Sequence, residues 1–173
     1  MKKLIILVFI PALVFAQSGL NVHFRGDVAL ASFSINGNKT THFTKYPLIQ
    51  SFSFSFGNSF NDLALDLRLG YVIMSENYEG FELGGFIFYN IPNSNLYFDT
   101  GLNYHFNPDE LHNSGGTGET ISQIALGLGY RLSEKIAVEL NDFFPLKQKY
   151  GFYDGETYKL LNIIKLGVVV QVF

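Results

Sequence analysis

Between residues 62 and 75, Leu63, Leu65, Leu67, Leu69, Tyr71 and Ile73 alternate with Ala64, Asp66, Arg68, Gly70 and Val72. A period of two belongs to a β-strand, whose successive side chains point to opposite faces of the sheet. One face here is wholly apolar, and the other carries an acid, a base and small residues. In a soluble sheet the apolar face covers a core and the polar face meets water. In a closed barrel that crosses a membrane, the apolar face meets lipid and the polar face packs a lumen.

The same alternation recurs along the chain. Eight strand-like segments are predicted, at roughly 19–35, 47–57, 62–75, 81–91, 95–106, 120–132, 135–145 and 160–173. Asn36-Gly37-Asn38, Gly57-Asn58, Pro92-Asn93-Ser94, Asn107-Pro108 and Asp154-Gly155 punctuate them as turns or loops. No stretch sustains helical periodicity. The predicted connections run about 11, 4, 5, 3, 13, 2 and 14 residues, so longer loops alternate with tight turns. That sorting by end is expected of an up-and-down barrel with one face of loops outside the cell. An even strand count returns both termini to the other side.

Charge falls consistently on one side of the strands. Arg25, Asp27, Asp66, Arg68, Glu82, Asp99, Arg131 and Glu139 form the expected inward set. An eight-stranded barrel is narrow enough for side chains to fill it, so these charges are expected to pair as a structural plug. Gly70, Gly84, Gly101, Gly127 and Gly129 would leave room for the arginines. The strand at 81–91 is apolar on both sides, with Glu82, Phe86 and Phe88 opposite Phe81, Leu83, Ile87 and Tyr89. Aromatics gather near strand ends, as in interfacial girdles, and the chain holds 18 Phe and 10 Tyr but no Trp.

The N-terminus sets the expected compartment. Lys2 and Lys3 precede the apolar run Leu4 to Phe15, and Val14-Phe15-Ala16 offers small residues for cleavage before Gln17. This pattern is a secretory signal over residues 1–16, too short to span a bilayer. The remaining residues 17–173 make a single domain. The chain has no cysteine, so no disulfide framework is available. With a net charge of −3, nucleic acid is not an indicated partner.

Signals for chemistry are sparse. His112-Asn113-Ser114 lies in a Gly-rich stretch, 107–119, which reads as a solvated loop rather than a nucleophile beside its base. Asp109, Glu110, His105 and His112 match no compact metal-site spacing. No catalytic residue, cofactor site or metal site is therefore assigned. The segments 36–46 and 146–159 read as external loops. In the second, Lys147 and Lys149 accompany Tyr150, Phe152 and Tyr153, a mixture that suits lipopolysaccharide or sugar contact and equally suits interfacial anchoring.

A secreted chain of eight alternating strands ending on Phe173 resembles the small outer-membrane β-barrel proteins, the OmpA-barrel, OmpX and OmpW-like group. The resemblance covers the whole mature chain and implies an all-β, eight-stranded, antiparallel up-and-down transmembrane barrel in the outer membrane. It implies outer-membrane lipid and lipopolysaccharide as surroundings, and recognition of the C-terminal strand by the barrel-assembly machinery. Counting back from Phe173 gives Gln171, Val169, Gly167 and Lys165, whereas Val172, Val170, Val168, Leu166 and Ile164 make the better lipid face. Lys165 is accordingly expected to point inward. The expected role is structural, adhesive or surface-binding, for a monomer without enzyme chemistry. Alternatives are an OmpW-like channel for small apolar molecules, with Phe33, Phe86 and Phe88 lining a pocket, an outer-membrane lipid-modifying enzyme, and a soluble lipocalin-like carrier.

Overall fold

The computed structural model describes residues 21–43, 50–75, 78–106, 120–147, 149–153 and 156–172, with side chains omitted at 35, 40–43, 74, 75, 78, 149–153 and 156–158. Residues 1–16 and Phe173 lie outside the described set, as do His112, Ser114, Asp109 and Glu110.

Ten strands form: β1 (Asn21–Ile35), β2 (Asn38–Phe43), β3 (Ser51–Phe60), β4 (Leu63–Ser75), β5 (Tyr78–Asn90), β6 (Leu96–Phe106), β7 (Ile121–Arg131), β8 (Ile136–Pro145), β9 (Lys149–Tyr153) and β10 (Glu156–Gln171). They make eight columns. β1 pairs with β3 through Asn21–Asp27 and with β2 through Leu30–Ile35, so β2 continues the column of β3. Likewise β10 pairs with β8 through Ile163–Val170 and with β9 through Glu156–Lys159. All neighbours are antiparallel, and β1 pairs with β10 from His23↔Gln171 to Ile35↔Tyr158, which closes the ring. Closure removes the open edge that lipid cannot solvate.

The ladders fix the shear. Followed from Arg25 one way, pairing runs through Ser53, Gly70, Glu82 and His105 to Ile121 on β7. Followed the other way, it runs through Val169 and Ala137 to Arg131 on the same strand. Ile121 and Arg131 stand ten residues apart, so the barrel closes with a ten-residue stagger. Strands so staggered tilt by roughly 35–45°.

The outward faces are hydrocarbon. Phe54, Leu65, Leu67, Leu69, Ile87, Phe98, Leu102, Leu126, Leu140 and Val168 are all exposed, Leu126 at 54%. No soluble fold leaves such a belt to water, and in a bilayer it is the required surface. The inward faces are buried and largely polar. β5, apolar on both sides in sequence, turns Glu82, Phe86 and Phe88 inward and Phe81, Leu83, Ile87 and Tyr89 outward. On β10, Lys165 is inward and only 2% exposed, while Leu166, Val168 and Val170 face out, as does Val172 just beyond it.

Two expected loops are strands. In sequence, segment 36–46 reads as an external loop, but Asn38–Phe43 forms β2 behind a two-residue turn. Asn36 and Gly37 there have φ of 48° and 91°, the type I′ combination that matches strand twist. Segment 146–159 likewise contains β9 and the start of β10, joined at 154–155. Of the candidate contacts in it, Lys147 is exposed, and the side chains of Lys149, Tyr150, Phe152 and Tyr153 lie outside the described ones. The hydrophobic alternation stops where a strand leaves lipid, but the backbone ladder continues. The expected sorting of long loops from tight turns therefore overstated two of the loops.

Candidate functional site in the lumen

The lumen is organised in levels because inward positions recur every second residue on strands of fixed register. At its middle, the Arg25 guanidinium donates to Asp27 and to Glu139. Glu139 also accepts from the Tyr97 hydroxyl at 2.7 Å, and Arg68 Nη2 lies 3.6 Å from it. Arg68 stacks over the Phe86 ring at 4.0 Å. Oriented with its nitrogen toward Asp99 (2.7 Å) and its oxygen toward Arg25 (3.3 Å), Asn141 ties a further carboxylate into the group. Ser51 Oγ donates to Asp27 at 3.2 Å.

A second cluster lies nearer the end formed by the β1–β2 and β9–β10 turns. Lys165 Nζ donates to Glu82 at 2.6 Å and stands 4.8 Å from the Phe143 ring centre. His105 Nδ1 is 4.0 Å from the same carboxylate, and Asn103 donates to Gln123 at 3.0 Å. Beyond this cluster the interior becomes apolar, with Ala31, Phe33, Val72, Ile121, Leu160 and Ile163 all buried. Among the described residues an apolar layer thus lies between the charged clusters and that end.

At the opposite end, where Asn21 and Gln171 sit, the lumen opens into a cavity of about 260 Å³. Arg68, Asp66, His23, Tyr97 and Glu139 line it, and Arg131 at its mouth stacks on Tyr97 at 5.0 Å and donates to Asn90. Ser55, His23 and Asp66 meet on its wall, yet Ser55 Oγ (3.4 Å) and Asp66 Oδ2 (3.6 Å) both approach Nδ1 of the imidazole. A relay needs the serine on one ring nitrogen and the carboxylate on the other, so this grouping is a polar wall rather than a nucleophilic site.

All eight residues of the expected inward set reach the lumen, seven of them buried and Arg131 half-buried. Arg25, Asp27, Arg68, Asp99 and Glu139 come together at the middle. Glu82 belongs to the second cluster, and Asp66 and Arg131 to the open cavity. Gln123, Asn141, Tyr97 and His105 were missed as network members, though strand parity alone points each inward. Phe86 and Phe88 are neighbouring rings, with centroids 6.5 Å apart. Phe86 lies under Arg68, Phe88 is 5.8 Å from Tyr97, and Phe33 is buried in the apolar layer with its pairing partner Leu160.

The small inward residues serve the acids as well as the arginines. Asp27 pairs across the ladder with Gly167, Asp66 with Gly57 and Asp99 with Gly127. A Cβ at any of these glycines would overlap the facing carboxylate. Tyr97 lies in the same way over Gly129, and Phe86 over Gly101. No three His, Cys, Asp or Glu side chains among the described residues group as metal ligands.

No protein-family model matches this chain, and no curated protein matches it. Among solved structures, the chain is similar to Neisserial surface protein A (NspA), with 15% identity, coverage of 89% of this chain and 99% of that one, and a TM-score of 0.48. The N-terminal β-barrel domain of Pseudomonas aeruginosa OprF shares 19% identity, with 87% and 96% coverage and a TM-score of 0.47. A barrel from the de novo design of transmembrane β-barrels shares 14% identity, with 88% and 95% coverage and a TM-score of 0.44. The assignment of this chain as a closed eight-column antiparallel barrel rests on its own strand pairing.

Proposed function

We propose that this protein is a small outer-membrane barrel with a structural or surface-binding role and without enzyme chemistry. The observation that carries this reading is the contrast between its two surfaces. The outer wall is a hydrocarbon belt, and the middle of the lumen is filled by mutually paired charges beneath an apolar layer. A lumen so filled favours a scaffold over a conduit. In this reading residues 1–16 are the export signal, and the C-terminal strand β10 is read by the barrel-assembly machinery. Lipopolysaccharide and outer-membrane lipid surround the belt. The open cavity faces the periplasm, and the β1–β2 and β9–β10 hairpins stand outside the cell, where a rigid scaffold displays binding residues. The inward set then acts as a plug that holds the barrel's shape.

The test is a fractionation followed by a boiled and unboiled gel, with planar-bilayer recording on the same preparation. A membrane-bound protein whose band shifts on boiling, with no steady conductance, supports the reading. A soluble protein without a shift replaces it with a lipocalin-like carrier, and steady open steps replace it with a transport role.

A further inference from the structure

Beyond the hydrocarbon belt, one line of the outer wall gathers cations. The ladders place Lys39 of β2 directly across from Ser34 of β1, Ser34 across from Lys159 of β10, and Lys159 across from Lys149 of β9. Four adjacent strands therefore carry three lysines and a serine in a single row. Ala31, Phe33 and Leu160 are buried in the lumen, so Ser34 and Lys159, at the alternate positions, lie on the outer face. Lys39 shares that face as the partner of Ser34. Lys39 and Lys159 are exposed, and Ser34 is half-buried. Neighbouring strands stand about 4.8 Å apart, so the row spans roughly 14 Å.

The row stands at a defined height. Down the β1–β10 seam the outward pairs are Ser34↔Lys159, Ser32↔Asn162, Leu30↔Ile164 and Val28↔Leu166. The first apolar pair is thus two pairs below the lysines. At about 3.3 Å per residue on strands tilted roughly 40°, that is about 10 Å toward the bilayer centre. Between them lies a polar step, Ser32 with Thr41 across from it on β2 and Asn162 on β10. The acids of these columns stand off the row. Asp142 is level with Ile164 and accepts from Asn162 Nδ2 at 2.9 Å, and Glu156 opens β10 three residues further out than Lys159. Like charges directly opposite across a ladder repel, so an anion lying over Lys149 and Lys159 turns an unfavourable pairing into a favourable one.

The geometry points to a binding site for the phosphate groups of lipopolysaccharide along Lys39, Ser34, Lys159 and Lys149, with their sugar resting on the Ser32–Asn162 step. The occupant is anionic because the row carries three lysines, and an ammonium makes strong charge-assisted contacts to phosphate oxygens. It is a lipid because the row lies at headgroup height, just beyond the hydrocarbon edge. A disaccharide headgroup with a phosphate at each end matches the length of the row better than a headgroup with one phosphate. A second copy of this chain fits less well, since a two-fold contact would set the lysines against their own mates. This site rests on the membrane-barrel reading with the two hairpins outside the cell, and the heat-shift gel tests the barrel separately.

The experiment is native mass spectrometry of the folded barrel from mild detergent, with lipid A carrying both phosphates, or the same lipid A stripped of them by phosphatase, added at equal concentration. Three forms are compared: wild type, the triple variant Lys39→Gln, Lys149→Gln and Lys159→Gln, and Lys135→Gln, which removes an exposed lysine at the opposite end of the barrel. A boiled and unboiled gel of each shows that it is folded. Wild type should retain the phosphorylated lipid over the stripped one by roughly tenfold, the ratio that about 1.4 kcal/mol supplies. The triple variant should lose that preference, and Lys135→Gln should keep it. Equal retention of the two lipids by wild type, or an undiminished preference in the folded triple variant, would overturn the proposal. So would a preference that Lys135→Gln abolishes, because the effect would then belong to net charge. Displacement of the lipid by soluble polyphosphate at the same phosphate concentration would also overturn it, and would give the row to a dissolved polyanion.

Discussion

Asp99 lies directly across the β6–β7 ladder from Gly127, and a methyl group on that glycine would overlap the aspartate's carboxylate. The pair is one of three in which an inward aspartate lays its carboxylate over the glycine across the ladder, so interior volume is allotted residue by residue.

Gly127→Ala should therefore destabilise the barrel by about 1–3 kcal/mol, the usual cost of forcing extra volume into a packed interior. Gly85→Ala is the control, since nothing lies within 4 Å of a Cβ there, and it should change stability by less than about 0.5 kcal/mol. Urea unfolding in lipid vesicles measures both. Equal effects at the two sites would mean that the carboxylate simply moves aside.

Lys165 and Glu82 join β10 to β5 across the lumen. Lys165→Met alone strands a buried carboxylate and should cost about 3–5 kcal/mol. Adding Glu82→Gln should restore most of that loss, because the uncompensated charge disappears. A double-mutant cycle on the unfolding midpoint reads the coupling, and additivity of the two changes would deny it.

Glu139 and Asp66 are both buried acids with different surroundings. Glu139 holds Arg25, Arg68 and Tyr97, whereas Asp66 lines the open cavity with His23 at 3.6 Å. Glu139→Gln should cost about 3 kcal/mol or more, and Asp66→Asn under about 1 kcal/mol. The same unfolding assay ranks them, and a reversed order would show that the middle cluster is not where the lumen's polar stability lies.

Gly37 has φ of 91° in the β1–β2 turn. An alanine there is strained, at about 1–2 kcal/mol. Gly37→Ala should speed amide exchange at Leu30–Ile35, which pair with β2, and spare Asn21–Asp27, which pair with β3. A uniform rise along β1 would mean that the hairpin and the barrel wall open as one unit.

Most of the wall was legible in the chain because lipid and lumen impose opposite chemistry on alternate residues. Leu63 to Ile73 needs no other information, and the same parity sends Lys165 inward despite the apolar run around it. The upper hairpins were less legible. Outside the belt neither face is required to be apolar, so β2 and β9 carry no alternation, and only Asn36-Gly37 and Asp154-Gly155 mark them. Partnership inside the lumen was not legible at all. That Lys165 takes Glu82, while Arg25 takes Asp27 and Glu139, follows from a ten-residue stagger that no single strand encodes.

Because β1 and β10 are the two strands that meet to close the ring, the chain's most distant segments are also its most intimate neighbours. Before they meet, Glu82 lacks its lysine, Asp27 lacks the glycine it rests on, and the future interior is one charged side of an open ribbon. Such a ribbon has no half-finished form that a bilayer tolerates, since hydrocarbon would face the very groups the finished barrel hides. Burial of the charged side is thereby coupled to closure of the ring, and that closure is made by the contacts of longest sequence separation in the chain.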